Sequence, residues 1–166
     1  MERKVSENIS FRSLKSEWDV YFDMAMVMLA EIMKNNATGK NTVMIVPVGP
    51  TDQYPILAKL VNQLRVSLKN VHFFNMDEYM LSPTEMIDPC HPMSFKQRMN
   101  KEFYHLVDED LVMPEDQRHF PAAGQEAEDD ALIEQLGGVD LCLGGLGING
   151  HLAFNEAAEE DDPITA

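Results

Sequence analysis

The sequence predicts an α/β fold, a doubly wound parallel sheet flanked by helices. Three observations carry that reading. Short apolar runs containing β-branched residues alternate with stretches of three- and four-residue apolar period, which is the strand and helix order of parallel βαβ units. Each apolar run passes directly into a turn rich in glycine, proline or acidic residues. The 166 residues, 45% of them hydrophobic, are enough chain for one packed core. No internal repeat or low-complexity linker divides them, so residues 1–166 are expected to form a single domain.

Across residues 14–36, Trp18, Tyr21, Phe22, Ala25, Met28, Leu29, Ile32 and Met33 recur at helical spacing, with Lys15, Glu17, Asp19 and Glu31 between them. That pattern is an amphipathic helix, and it should stop before the Thr38-Gly39 turn signal. Residues 42–47 are short, apolar and partly β-branched, as suits a strand covered on both faces. After the turn at 48–52, a second helix runs through Ile56, Leu57, Leu60, Val61 and Leu64, with Pro55 tolerable in its first turn. Residues 71–75 are the next strand. The stretch 80–92, with Pro83, Pro89 and Pro92, reads as a long loop. Residues 94–105 and 126–136 are helix candidates, the second ended by Gly137-Gly138, and 139–143 read as a third buried strand running into four closely spaced glycines.

Composition excludes several classes of function. The apolar fraction is too high for a disordered acidic tail, and no apolar run is long enough to span a bilayer. A formal net charge of -15, without any cluster of Lys and Arg, disfavours nucleic acid as a partner. The charge is uneven: 12 acidic and 12 basic residues precede position 108, whereas 16 acidic residues and only Arg118 follow. Acidic runs of this kind read first as solvated faces. Cys90 and Cys142 are too few and too far apart for a disulfide scaffold, and the first residues hold no apolar signal segment, so a cytoplasmic location is the simplest expectation. The 12 methionines read as adaptable core filler.

In an open parallel sheet, ligands bind beyond the carboxyl ends of the strands, which directs attention to 48–52, 75–79 and 144–156. The first segment could offer backbone N–H groups to an anion. Against that, Pro50 has no N–H, Asp52 is negative, and Thr51 or Asp52 could simply cap the following helix. The second places Asp77 and Glu78 side by side, and either could be a general base or an ordinary loop hydrogen-bonder. The third crowds glycines, which implies close approach to the backbone, and delivers His151 with Asn149 and Glu156 near it in sequence. His72, His91, His105 and His119 show no metal-binding spacing, and no metal is expected.

The stretches FNMDEY at 74–79, HPMS at 91–94 and GGLGINGHLAFNE at 144–156 resemble the glucosamine-6-phosphate deaminase (isomerase) family. The resemblance implies a Rossmann-like fold and conversion of glucosamine 6-phosphate to fructose 6-phosphate and ammonia, with no cofactor. It implies that Asp77 moves a proton between C1 and C2 of the opened sugar, and that His151, partnered by Glu156, assists ring opening. Gly49, Pro50, Thr51 and Gly147 would bind substrate. Asn149 stands where the family usually has Asp, which should weaken ring opening because an amide stabilises an imidazolium less than a carboxylate does. The turn at 48–52 departs from the family's usual phosphate-binding sequence. The family pattern also continues beyond residue 166, so C-terminal elements of the fold are expected to be missing, with an exposed sheet edge and a homo-oligomer in consequence. Two alternatives share the architecture: a catalytically impaired sugar- or partner-binding domain, and a hydrolase like the 6-phosphogluconolactonases.

Overall fold

A computed structural model of the chain describes residues 2–4, 10–147 and 150–151, leaving aside the side chains of 2–4 and of Glu126. Asn149 and Glu156 lie outside the described residues.

A short antiparallel ribbon, β1 (Glu2–Lys4) with β2 (Ser10–Arg12), leads into α1 (Glu17–Thr38). Ser16 starts this helix from an extended conformation, its Oγ accepting from the Asp19 N–H, and Gly39 ends it at φ 68. Ala25, Met28, Leu29 and Ile32, at three- and four-residue steps, are buried. The stripe is covered only in its middle, for Trp18 is 60% and Met33 47% exposed. Trp18 instead stacks on Phe22, ring centroids 5.1 Å apart.

Next come β3 (Thr42–Val46), α2 (Gln53–Leu64) and β4 (Val71–Asn75). Thr42, Val43, Met44 and Val46 are buried, as a strand with helices on both faces requires. The stretch read as loop contains a small antiparallel hairpin, β5 (Met80–Ser82) with β6 (Glu85–Met86). A helix follows, α3 (Phe95–Met99), continued by a π-helical turn at Asn100–Tyr104, together filling the predicted 94–105. A 3-10 turn at Glu115–Gln117 then leads into β7 (Arg118–His119), and α4 (Glu126–Gln135) into β8 (Leu141–Cys142).

The main sheet is wholly parallel with order β7-β4-β3-β8. The first of its strands in sequence, β3, lies inside, the next two go to one side, and the last goes to the other. The winding therefore reverses between β7 and β8, and a doubly wound sheet opens its ligand crevice at the carboxyl ends of the strands flanking that reversal, here β3 and β8.

The last strand departs from expectation. Among the described residues its two paired residues meet only β3, Met44 opposite Leu141 and Ile45 opposite Cys142, and Cys142 is exposed. A strand paired on one side is a half-exposed edge rather than a buried core element. It is held in register by Asp140, whose carboxylate accepts from the Val43 N–H at 3.0 Å and pairs with Lys40. Among the described residues no helix is long and apolar enough to cross a membrane.

Candidate active site

The three segments singled out from the sequence converge. Beyond the carboxyl ends of β3, β4 and β8 lies a cavity of about 250 Å³. The turn after β3 contributes Pro47, Val48, Gly49 and Pro50; the exit of β4 contributes Met76 and Asp77; α3 contributes Phe95; and the glycine-rich loop contributes Gly145, Leu146, Gly147 and His151. Parallel winding brings all of these to one end of the sheet.

The glycines are there for contacts within the protein. A Cβ on Gly145 would lie 3.0 Å from the Gly49 carbonyl oxygen and 3.1 Å from Pro50 Cδ, so glycine lets the loop rest on the β3–α2 turn. A Cβ on Gly147 would lie 2.3 Å from Cε1 and Nε2 of His151. The imidazole thus lies on the Gly147 backbone, in a turn closed by the Gly147 N–H donating to the His151 carbonyl at 2.9 Å and the Gly150 N–H to the Gly147 carbonyl at 2.9 Å.

The adjacent carboxylates, indistinguishable in sequence, have different occupations. Glu78 accepts from the N–H groups of Tyr79 and Phe95 through Oε1, and from Ser94 Oγ and the Lys96 N–H through Oε2, all at 2.9 Å. It anchors the start of α3 and has no capacity left for chemistry. Asp77 lines the cavity half-buried, and its Oδ1 is buried with no hydrogen-bond partner among the described residues. Burial raises its pKa above the ordinary carboxylate value, the negative charge of Glu78 raises it further, and His151 pulls it down. A carboxylate held this way is a stronger base than one in water.

In the β3–α2 turn, Gly49 and Pro50 reach the cavity but Thr51 does not line it; Thr51 is buried, and its hydroxyl accepts from Arg98 Nη2 at 3.1 Å. Neither expected cap forms through a side chain, for Asp52 stands at the helix start without a capping hydrogen bond. Gln53 fixes the turn instead, donating from Nε2 to the Pro50 carbonyl at 2.8 Å, and the Tyr54 hydroxyl donates to the Pro47 carbonyl. Asp52 lines a separate groove with Glu17, Trp18, Tyr21, Pro55 and Ile56, on the α1 side of the helix, which removes its charge from the cavity wall.

Arg98 escaped the sequence reading because it lies 47 positions from the turn it contacts, between Lys96 and Lys101 on a segment that no strand-exit argument selects. Its sequence signals are the neighbouring Lys96 and Lys101 and its place one helical turn beyond Phe95. Among the described residues no group of three or more His, Cys, Asp or Glu side chains is placed to hold a metal ion.

Among curated proteins, the chain is 39% identical over 144 residues to a glucosamine-6-phosphate isomerase of Candida albicans, covering 81% of this chain and 54% of that one. It is 34% identical over 148 residues to a glucosamine-6-phosphate deaminase of Parabacteroides distasonis, covering 85% and 50%. The chain is a homologue of the glucosamine-6-phosphate deaminases. It spans about half the length of the curated deaminases it matches. No family model matches. Among solved structures, a monomeric glucosamine-6-phosphate deaminase superposes with a TM-score of 0.71 at 22% identity, over 86% of this chain and 57% of that one. The 6-phosphogluconolactonase of Thermotoga maritima superposes with a TM-score of 0.57 at 18% identity, over 81% and 59%. These likenesses give the fold, a Rossmann-like α/β sheet shared by deaminase and lactonase, and the sequence relationship described above is to deaminases.

Proposed function

We propose that the cavity is the reaction centre of an amino-sugar phosphate isomerase and deaminase, and that residues 1–166 are one α/β domain corresponding to the N-terminal part of the deaminase fold. One observation carries this reading: among the described residues Asp77 is the cavity's uncommitted carboxylate, its basicity raised by burial, and it feels the charge of His151 across the same space. In the opened sugar, Asp77 takes the proton from C2 and delivers a proton to C1 while a second proton passes from the amine nitrogen to O1, turning the aldehyde carbon into a hydroxymethyl carbon and the amine-bearing carbon into an imine. Water adds to the imine, and the C–N bond breaks to give a ketose phosphate and ammonia. His151 moves the proton between ring oxygen and the C1 hydroxyl during opening, with Asn149 and Glu156 beside it in sequence, while Gly49, Pro50 and Gly147 shape the walls. A cytoplasmic location goes with this chemistry, and pairing through the exposed β8 edge makes the chain a homo-oligomer.

Incubation with glucosamine 6-phosphate in heavy water tests the reading directly. Deuterium should enter at C1 of the product and ammonia should appear, and Asp77→Asn should lower both by roughly 10²- to 10⁴-fold. A chain that neither binds the sugar phosphate nor exchanges its C2 proton overturns the proposal. The neutral Asn149 favours a second reading, a sugar-binding domain with impaired catalysis, and tight binding without exchange would select it.

A further inference from the structure

We propose that Arg98 is the anion contact of this cavity, receiving the phosphoryl group of the sugar phosphate in place of donors that the β3–α2 turn lacks. The inference rests on the sugar-phosphate reading above and adds to it a residue that neither the motifs nor the turn suggested. The turn itself is poorly equipped: Pro50 has no N–H, and the hydroxyl of Thr51 is buried and already engaged. What engages it is a cation. Arg98 Nη2 donates to Thr51 Oγ1 at 3.1 Å, which ties the guanidinium to the residue after Pro50, a cavity wall. From the other side, Phe95 is also a wall; Arg98 is exposed and does not itself line the cavity, but it lies three residues further along the same helical segment, on the same side of the helix as Phe95.

Among the described residues its charge is not spent on a carboxylate, unlike that of Arg12 or Arg65. Arg12 pairs with Asp23, and Arg65 with both Asp108 and Asp110. Arg118 donates twice to the Met113 carbonyl and lies 4.6 Å from the Tyr104 ring centroid. Among the described residues Arg98 has no carboxylate partner, in a chain with 28 acidic residues to 13 basic. A guanidinium has five N–H donors, and one hydrogen bond to a hydroxyl leaves its fork able to take two phosphoryl oxygens side by side. The nearest acidic residue of the turn, Asp52, faces the α1 groove and does not compete.

The test is a set of calorimetric titrations of the full chain and its Arg98→Met and Arg98→Lys variants with glucosamine 6-phosphate, glucosamine and inorganic phosphate. Wild type should prefer the phosphorylated sugar to glucosamine, and Arg98→Met should weaken glucosamine 6-phosphate and inorganic phosphate on the order of 10- to 100-fold, as expected for a charge-assisted hydrogen bond. Glucosamine binding should be unchanged. Arg98→Lys keeps the charge without the planar fork and should fall between the two, which preserves the test should the methionine variant fail to fold. Undiminished phosphate preference in both variants overturns the role of Arg98. Arg98-dependent binding of inorganic phosphate, with no binding of either sugar, leaves the anion contact standing and overturns the sugar reading. Binding of neither phosphate nor sugar phosphate by wild type overturns both.

Discussion

Gly147→Ala separates stability from chemistry. The new methyl group would lie 2.3 Å from the His151 ring, whereas carbon atoms in contact settle at about 3.5 Å, so the imidazole has to retreat by roughly 1.2 Å. Retreat is cheap for the fold, because the obstacle is the end of a side chain and Gly147 is not held at positive φ. Loss of glycine's unfolded-state freedom contributes about 0.4–1 kcal/mol in the stabilising direction, and the melting temperature should stay within a few degrees of wild type. For catalysis the same displacement is expensive, since about 1 Å at a reacting group can cost roughly 100-fold in rate. Ammonia release should therefore fall on that order while the protein melts normally. A second readout follows from charge: His151 holds the pKa of Asp77 down, so a retreating imidazole lets it rise, and the acid limb of the pH–rate profile should move to higher pH. The neighbouring Gly145→Ala makes the contrast, because its methyl would meet the Gly49 carbonyl at 3.0 Å, and backbone yields only at about 1–3 kcal/mol. Wild-type turnover and an unmoved acid limb in Gly147→Ala would show that His151 does not act from this position.

Two further outcomes follow from the neighbours of the cavity. Glu78→Gln leaves a side-chain amide N–H₂ facing some of the donors Glu78 now accepts from at the start of α3, and should lower the urea midpoint by an amount equivalent to about 0.5–2 kcal/mol. Because the Glu78 charge raises the Asp77 pKa, the same variant should move the acid limb to lower pH, opposite to Gly147→Ala. His72 and His119 face each other across β4 and β7, Nδ1 to Nε2 at 3.3 Å. Burial lowers both pKa values, the charge of His72 lowers His119 further, and Asp116 opposes the shift in each. Folded pKa values below the unfolded value of about 6.5 mean that the unfolded chain binds protons first as pH falls, so stability is complete above that value and is lost as pH drops through the lowered folded pKa values. Urea midpoints at successively lower pH should show this loss, and His72→Phe should flatten it.

Periodicity revealed the long elements and missed several of the short ones for a physical reason. α1 and α2 run for several turns, and β3 and β4 are five-residue apolar runs, so their patterns repeat enough to be seen. β6 and β7 pair through two residues each, and two residues have no period; β8, equally short, was visible only because it lies within the apolar run 139–143. Strand position told more than residue type about the site. The three segments at strand exits are the ones that meet, because parallel winding sends every such exit to the same end. What each side chain does there was not legible, since Asp77 and Glu78 differ only in which of them lies within reach of the Ser94–Lys96 backbone, and Arg98 comes from a helix whose approach to the turn no local pattern announces.

The same limit applies to charge. A sum of -15 suggests a protein hostile to phosphate, yet a carboxylate opposes an anion only within about a Debye length and only where its field reaches the site. At this cavity, among the described residues, Glu78 is neutralised in part by the donors of α3, Asp52 faces α1, and neither the acidic run at 108–110 nor residues 128–130 line the walls. Asp108 and Asp110 are paired with Arg65, away from the site. The wall carboxylate that remains is Asp77, whose raised pKa records both burial and the nearby Glu78 charge, and the cations close at hand are His151 when protonated and Arg98. Among the described residues, the sheet's carboxyl end is thus far less acidic than the sum of -15 suggests, which is the condition under which a phosphate dianion and a carboxylate can share one pocket.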